Sequence, residues 1–391
     1  STLNLNKYKV IDSFVYDNVV SLLIKRIFVR QKKYYMQTNS KSFSIQLIEK
    51  SSINDVDWVN LAFGNTFSDH MFSMDYENGA WGNGKVMPFQ NIPMHPAMSA
   101  IHYGQSIFEG LKAYKSKNGQ INIFRPELNA VRFAESAKRM CMPEVPESIF
   151  LEAIRTLIEV DRNWVPAADG YSLYIRPFMF ATDHLIGIKP SDSYKFMILT
   201  SPVGVYYSEP VKVKIEESYT RAAIGGVGRA KAAGNYGASL LPAKQCQLEG
   251  FHQLVWTDAI EHKYIEESGT MNIIFQIDGK LISPSEDADT ILRGITKRTL
   301  IELAKEWGVE VEERRVTVEE IITAVRAGKL EDAFGAGTAA TIAQIDIIGF
   351  RGEKLQLPPI ETRQLSNRIK AYLDDVKYGK TEDIYGWNMT I

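Results

Sequence analysis

The sequence predicts a mixed α and β fold of the α+β kind, and three observations carry that expectation. Segments with apolar residues three or four apart alternate with short runs rich in aromatic and β-branched residues. Past residue 50 there is no internal repeat and no low-complexity tract, which excludes a solenoid. With 391 residues, 45% hydrophobic and 24% charged, the chain has a globular balance and enough length for two domains of ordinary size.

The helical pattern is clearest in 126–140 (PELNAVRFAESAKRM), 148–161, 296–307 and 317–328. Thr317, with Glu320 three residues on, forms a capping box that fixes the start of the last of these. Strands are expected over 171–180 (YSLYIRPFMF) and 194–207, where aromatic and aliphatic residues crowd together. In 275–283, Asp278-Gly279 separates two short apolar runs, a hairpin signal, so the sheet is expected to be largely antiparallel.

Between Pro202 and Gly237 the chain turns rich in Gly and Pro, which places a connecting loop at 206–218 between a smaller domain over 41–205 and a larger one over 219–391. Residues 1–40 stand apart. Five Lys and two Arg against Asp12 and Asp17 give them a charge of +5 in a chain whose total is −2. The segment reads as an appended extension with a natural start near Met36, in preference to a targeting presequence, which would be richer in Ser and poor in acids.

A pI near 6.4 gives no field that would attract nucleic acid or an anionic membrane, so small-molecule chemistry is expected. Cys141 and Cys246 are far apart, without His or Cys at metal-ligand spacing, which points away from a metal site or disulfide framework and toward a cytoplasmic setting. No run of 18 apolar residues is present to span a bilayer.

The most unusual local sequence is GGVGRAKAAGNYGASL (225–240), where Lys231 is surrounded by Gly and Ala. Small neighbours let a planar group approach. A lysine attacks an aldehyde only as the neutral amine, which desolvation or nearby cations promote. Taken alone, a lone lysine in a glycine-rich loop is a solvated surface group. A second pattern, Gly335-Ala-Gly337-Thr-Ala-Ala340, satisfies the dinucleotide fingerprint of an NAD-dependent oxidoreductase, but β-like residues (TIAQIDIIGF) follow it where a helix should.

From about residue 58 to 391 the chain resembles the branched-chain aminotransferases of the fold-type IV pyridoxal-phosphate class. KAAGNYGASL resembles the Schiff-base segment of that family, and FGNTFSDHM, HYGQSIFEGLKAY, SLYIRP, SPVGVYY, EESGTMNIIF, GITKRTLIELA and FGAGTAA follow in family order. The resemblance implies a smaller amino-terminal α/β domain and a larger cofactor-binding domain, with a pseudo-barrel of strands surrounded by helices. It implies transamination of Leu, Ile and Val with 2-oxoglutarate. D-amino acid transaminase and aminodeoxychorismate lyase, which share the lysine and glutamate, are the alternatives within the scaffold. Length, SLYIRP and GTMN favour the branched-chain enzyme.

Residue by residue, the resemblance makes Lys231 the Schiff-base lysine and proton carrier, and Tyr236 the partner of the phenolic oxygen of pyridoxal 5′-phosphate. It puts Glu267 beside the ring nitrogen; Glu266 must then face the other way, since neighbours in a strand alternate. Taken alone, the two would be an exposed pair. Arg132, Ile295, Thr296 and Thr338 would hold the phosphate, the amides at a helix start being ready anion donors. Ala339 would present its N–H to the substrate α-carboxylate, with Tyr103 reaching the same group from the other subunit of a homodimer.

Phe63, Phe108, Tyr174, Tyr206 and Thr270 would wall the substrate side chain, with Thr270 also touching the cofactor and Thr338 the substrate. Arg176, set between apolar strand residues, would hold the distal carboxylate of glutamate; the plainer reading is a structural ion pair. Two departures stand out. Ala340 and Ala343 replace the Cys-x-x-Cys of some members, which excludes thiol regulation there, and Arg293 replaces a common Pro before GIT, facing either the phosphate or solvent.

Overall fold

A computed structural model describes residues 43–207, 209–287 and 289–391. The basic segment 1–40 lies outside the described residues. The strands form two sheets. The first runs Ser44–Ile45, Lys85–Pro88, His70–Glu77, Tyr194–Val203, Ser172–Ala181, Leu111–Lys115, Ile121–Phe124 and Asn388–Thr390 from edge to edge. Ala80–Trp81 and Ser106–Phe108 pair beside this path. Every pairing is antiparallel except that of Ser44–Ile45 with Lys85–Pro88.

Helices Pro126–Arg139 and Glu147–Val160 cover this sheet because each carries one apolar stripe. In the second of them Phe150, Ala153, Ile154, Leu157 and Ile158 are fully buried, the spacing of a single helix face. They meet Phe72, Phe133, Phe196 and Ile198 in one continuous core.

In the second sheet Met271–Ile277, Leu330–Ala336, Ile342–Phe350, Val211–Ile215, Gln253–Thr257 and Tyr264–Ser268 follow one another, and the last pairs back onto the first. Six strands thereby close into a barrel without a free edge. Helices Ile295–Glu306, Val318–Arg326 and Gln364–Lys377 accompany it. The Thr317 side chain accepts from the Glu320 N–H at 3.1 Å, the capping contact expected from sequence. The hairpin at Asp278-Gly279 is also present, with both residues at positive φ (48° and 76°) between Phe275↔Ile282 and Ile277↔Lys280 pairs.

The expectation of a largely antiparallel sheet holds for both sheets, although the second also contains three parallel pairings. There Val211–Ile215 lies parallel to both of its neighbours, and Lys280–Pro284 parallel to Val311–Arg314. These pairings need long crossovers that no local signal reveals. Among the described residues no helix is long and apolar enough to cross a membrane.

Candidate active site

One cavity of about 610 Å³ opens where the strands near Phe108 and Tyr174, the Lys231 loop, the Glu267 hairpin and the start of helix Ile295–Glu306 meet. Of the residues singled out from sequence, Phe63, Phe108, Arg132, Tyr174, Arg176, Tyr206, Lys231, Tyr236, Glu267, Thr270, Ile295, Thr296, Thr338 and Ala339 all line it. Tyr103 does not. It ends the short helix Ser99–Tyr103 and is 44% exposed.

Lys231 is fixed from both sides. Its N–H donates to Ser136 Oγ at 2.9 Å on helix Pro126–Arg139, and its carbonyl accepts from the Phe108 N–H at 3.1 Å. Asn235 braces the approach by donating to the carbonyls of Val227 and Ala230, both at 2.9 Å. The reading of Lys231 as a solvated loop residue therefore fails. Its Nζ lies 2.8 Å from the Tyr236 hydroxyl and 4.6 Å from the centre of the Phe108 ring. Tyr236 reaches it because the short helix Ala233–Ala238 begins two residues after the lysine.

Glu267 and Glu266 are not an exposed pair: they are 3% and 6% exposed, on opposite faces of Tyr264–Ser268. Glu267 faces the cavity, where its Oε1 accepts from the Leu292 N–H at 2.5 Å and stands 3.3 Å from Arg221 Nη2. Glu266 turns away and accepts from the Thr290 hydroxyl at 2.5 Å. Burial pushes the Glu267 carboxyl above its ordinary range, opposed chiefly by Arg221 and then by the Leu292 N–H, Lys231 and Lys297.

At the other end Arg132 is buried and clamped to Glu109, Nε to Oε1 at 2.7 Å and Nη2 to Oε2 at 2.8 Å, while Nη1 donates to the Arg293 carbonyl at 2.8 Å. Burial works against ionisation of Glu109, but Arg132, with Lys231 and Asn129, outweighs it and holds that carboxyl below its usual range. Arg132 is therefore not a solvated group on a helix surface, the default for an arginine in such a helix. Beside it helix Ile295–Glu306 starts at Gly294 with no side chain capping its first N–H groups, so these donors open on the cavity. A Cβ on Gly294 would collide with Asn272 Oδ1, which explains the glycine at this close approach. The Arg293 side chain faces away from the cavity, 3.3 Å from Glu135 and 3.9 Å from Glu286.

The apolar end is built from aromatic contacts. Phe63 meets Tyr174 at 4.8 Å and Tyr206 at 5.2 Å, both edge-on, and Phe178 and Leu199 complete the wall. Arg176 enters this wall without an ion pair to any carboxylate among the described residues, so its reading as one half of a structural ion pair is set aside. Its Nη2 donates to the Tyr174 hydroxyl at 2.8 Å and its guanidinium lies 4.6 Å above the Phe108 ring. A Cβ on Gly110 would strike that same tyrosine hydroxyl.

Thr338 and Ala339 sit in the turn between the antiparallel strands Leu330–Ala336 and Ile342–Phe350. A strand, not a helix, follows GAGTAA, which removes the dinucleotide reading. Sequence reasoning missed Glu109, Arg221, Asn272 and Asn235. For Glu109 a signal existed, an acid inside the apolar run IFEGL that needs a buried partner. For Arg221 none did.

A family described as amino-transferase class IV matches residues 106–348. The chain is 42% identical over 335 residues to branched-chain-amino-acid aminotransferase 2 of Bacillus subtilis (strain 168), covering 85% of this chain and 92% of that protein. The structure of branched-chain amino acid aminotransferase from Escherichia coli superposes with a TM-score of 0.65 at 28% identity, covering 82% of this chain and 98% of the other. A T.th. branched-chain amino acid aminotransferase complexed with N-(5′-phosphopyridoxyl)-L-glutamate superposes with a TM-score of 0.64 at 26% identity, covering 81% and 97%.

Proposed function

The chain belongs to the class IV amino-transferases, among the branched-chain-amino-acid aminotransferases, and we propose that it moves the α-amino group of Leu, Ile or Val to 2-oxoglutarate with pyridoxal 5′-phosphate as cofactor. One observation carries the reading: an amine, a phenol and a buried carboxylate converge on the same cavity whose far end is an uncapped helix start. These residues fit the cofactor. The carboxylate suits a ring nitrogen that must stay protonated, and the helix amides with Arg132 suit a phosphate. The conjugate complexed with the T.th. enzyme joins a phosphopyridoxyl group to glutamate and supports the same assignment.

When bound, the cofactor supplies an electron sink for the bonds at the substrate α-carbon. Lys231 would then carry the proton, since a single amine on one face can remove it from the α-carbon and return it two atoms away, across the intervening nitrogen. Tyr236 holds that amine in place through the 2.8 Å contact. Arg221 and the Leu292 N–H oppose the cost of burying Glu267 and favour its charged form, which a protonated ring nitrogen would complete. The aromatic wall excludes water and takes the aliphatic side chain, and Arg176 meets the distal carboxylate of the second substrate.

We also infer a homodimer. Tyr103 and Ile101 project from a helix outside their own cavity, 44% and 55% exposed, as a group offered to a second copy would. On the same reading two domains flank 206–218, and the free thiols of Cys141 and Cys246 accord with a cytoplasmic setting. The direct experiment is borohydride reduction of the purified holoenzyme, which should bleach its colour and fix the cofactor on the peptide that contains Lys231. Lys231→Ala should abolish both this labelling and leucine turnover. A residual rate above about a thousandth of the original would reject the assignment, since acid–base catalysis by that amine alone is worth about 10²–10⁴.

A further inference from the structure

Two lysines outside the cavity lining grip the turn that carries Thr338 and Ala339. Lys112, on Leu111–Lys115, donates from Nζ to the Ala339 carbonyl at 2.6 Å. Lys377, the last residue of helix Gln364–Lys377, donates from Nζ to Thr341 Oγ1 at 2.6 Å and is 4% exposed. Neither ammonium is ion-paired with a carboxylate among the described residues. Asp374, one helical turn before Lys377, is bound to Lys370 at 2.7 Å. Two aromatic rings stand near the Lys377 ammonium, Phe124 at 5.1 Å and Tyr114 at 5.8 Å.

Lys377 is buried and Lys112 half-buried, and cations so placed, with no carboxylate in contact among the described residues, are costly in a folded protein unless an anion completes them. Burial, and then the charge of Lys377, pull the Lys112 amine down to about 8; burial does the same to Lys377, with Asp374 opposing the fall in both. The geometry also sets a direction. A carbonyl turned into the cavity would set its partial negative charge against an incoming carboxylate. The bond to Lys112 keeps the Ala339 carbonyl on the outer side of the turn.

We propose that Lys112 and Lys377 form a cationic brace behind the 337–341 turn, a pair of positioning residues that aim its amides at the substrate α-carboxylate and supply the positive potential which that carboxylate completes. The inference rests on the aminotransferase reading, in which the substrate carries such a carboxylate. It makes the last helix of the chain part of substrate recognition, although no atom of that helix lines the cavity.

The test uses the holoenzyme and two unreactive leucine mimics, 4-methylpentanoate and its neutral amide, 4-methylpentanamide, with binding followed through the cofactor absorbance. Lys112→Met and Lys377→Met should weaken the carboxylate about 10- to 100-fold, the scale of a lost charge-assisted contact, and leave the amide within about threefold. Thr341→Val removes only the acceptor of Lys377 and should give a smaller loss of the same kind, whereas Lys377→Arg should largely restore the affinity. Melting temperatures identify any variant that fails to fold, and Thr341→Val then decides the matter. Unchanged carboxylate affinity in Lys112→Met and Thr341→Val would overturn the brace, as would equal losses for carboxylate and amide. A wild-type protein that binds neither the cofactor nor 4-methylpentanoate would instead sink the aminotransferase reading, and this inference with it.

Discussion

Replacing Arg176 by Met should separate the two half-reactions, because one pocket has to accept an isobutyl group and then a side chain that ends in a charge. Among the described residues three cations line the cavity, Arg132, Arg176 and Lys231. Arg132 is neutralised by its two bonds to Glu109, and Lys231 is committed to Tyr236 and the cofactor end. Of the three, Arg176 stands among the aromatics, held by the Tyr174 hydroxyl at 2.8 Å and by the face of Phe108 at 4.6 Å. A distal carboxylate that enters this wall without it is a desolvated charge with no partner. Losing one member of such a pair costs about 2–5 kcal/mol, or roughly 30- to 5000-fold in the rate constant over affinity for the 2-oxoglutarate half-reaction. Leucine makes no use of the charge, and its half-reaction should fall by no more than about threefold. Single-turnover absorbance changes of the cofactor, measured with each substrate on the same variant, give both numbers. Equal losses would mean that Arg176 only holds Tyr174 and Phe108 in place, and the charge-recognition argument would be refuted.

Glu267→Gln keeps a hydrogen-bonding group but removes the charge opposite Arg221, so turnover should drop by about 10²–10³ with the cofactor still bound, the scale for losing one preorganised electrostatic contact. Glu266→Gln, on the other face of the strand, should change turnover little, and the reverse pattern in steady-state assays would contradict the register of Tyr264–Ser268. The brace lysines predict an unusual pH dependence of stability. With folded-state values near 8 against 10.5 in the unfolded chain, the unfolded state binds more protons between those limits, so stability should rise with pH across that window. For the pair the gain is on the order of 3 kcal/mol, read as a higher urea midpoint at pH 9.5 than at pH 7.5; Lys377→Met should flatten the slope, and a midpoint that fell with pH in the wild type would contradict the burial of these amines.

What the sequence makes legible follows the range of the forces involved. Helices Pro126–Arg139, Glu147–Val160, Ile295–Glu306 and Val318–Arg326 are each readable within a residue or two, because an apolar stripe is a local property, as is the Thr317 cap of the last. Helix Gln364–Lys377 carries the same signal in Leu365, Ile369, Leu373 and Val376, but its many charges mask it. The barrel's parallel pairings are not readable, since Val211–Ile215 finds its partner in Ile342–Phe350 more than a hundred residues away. The site divides in the same way. Lys231, Tyr236, Glu267 and the GAGTAA turn sit in continuous motifs and are visible. Arg221, Lys112 and Lys377 take their roles from partners distant in sequence, so only the folded chain explains why they are charged, whereas Glu109 left a trace in its apolar run.

The strand Asn388–Thr390 closes the outer edge of the first sheet against Ile121–Phe124, and the contact between Thr390 and Asn122 spans 268 residues. A ribosome adding roughly 5–20 residues per second needs on the order of 15 to 50 seconds to travel that distance. The helices that cover the sheet are made early in that interval, yet Ile121–Phe124 still presents unsatisfied amides and carbonyls along one side. Open strand edges are templates for the wrong neighbour. That edge of the first sheet is therefore open to mispairing from the emergence of Ile121–Phe124 until Asn388–Thr390 has been made.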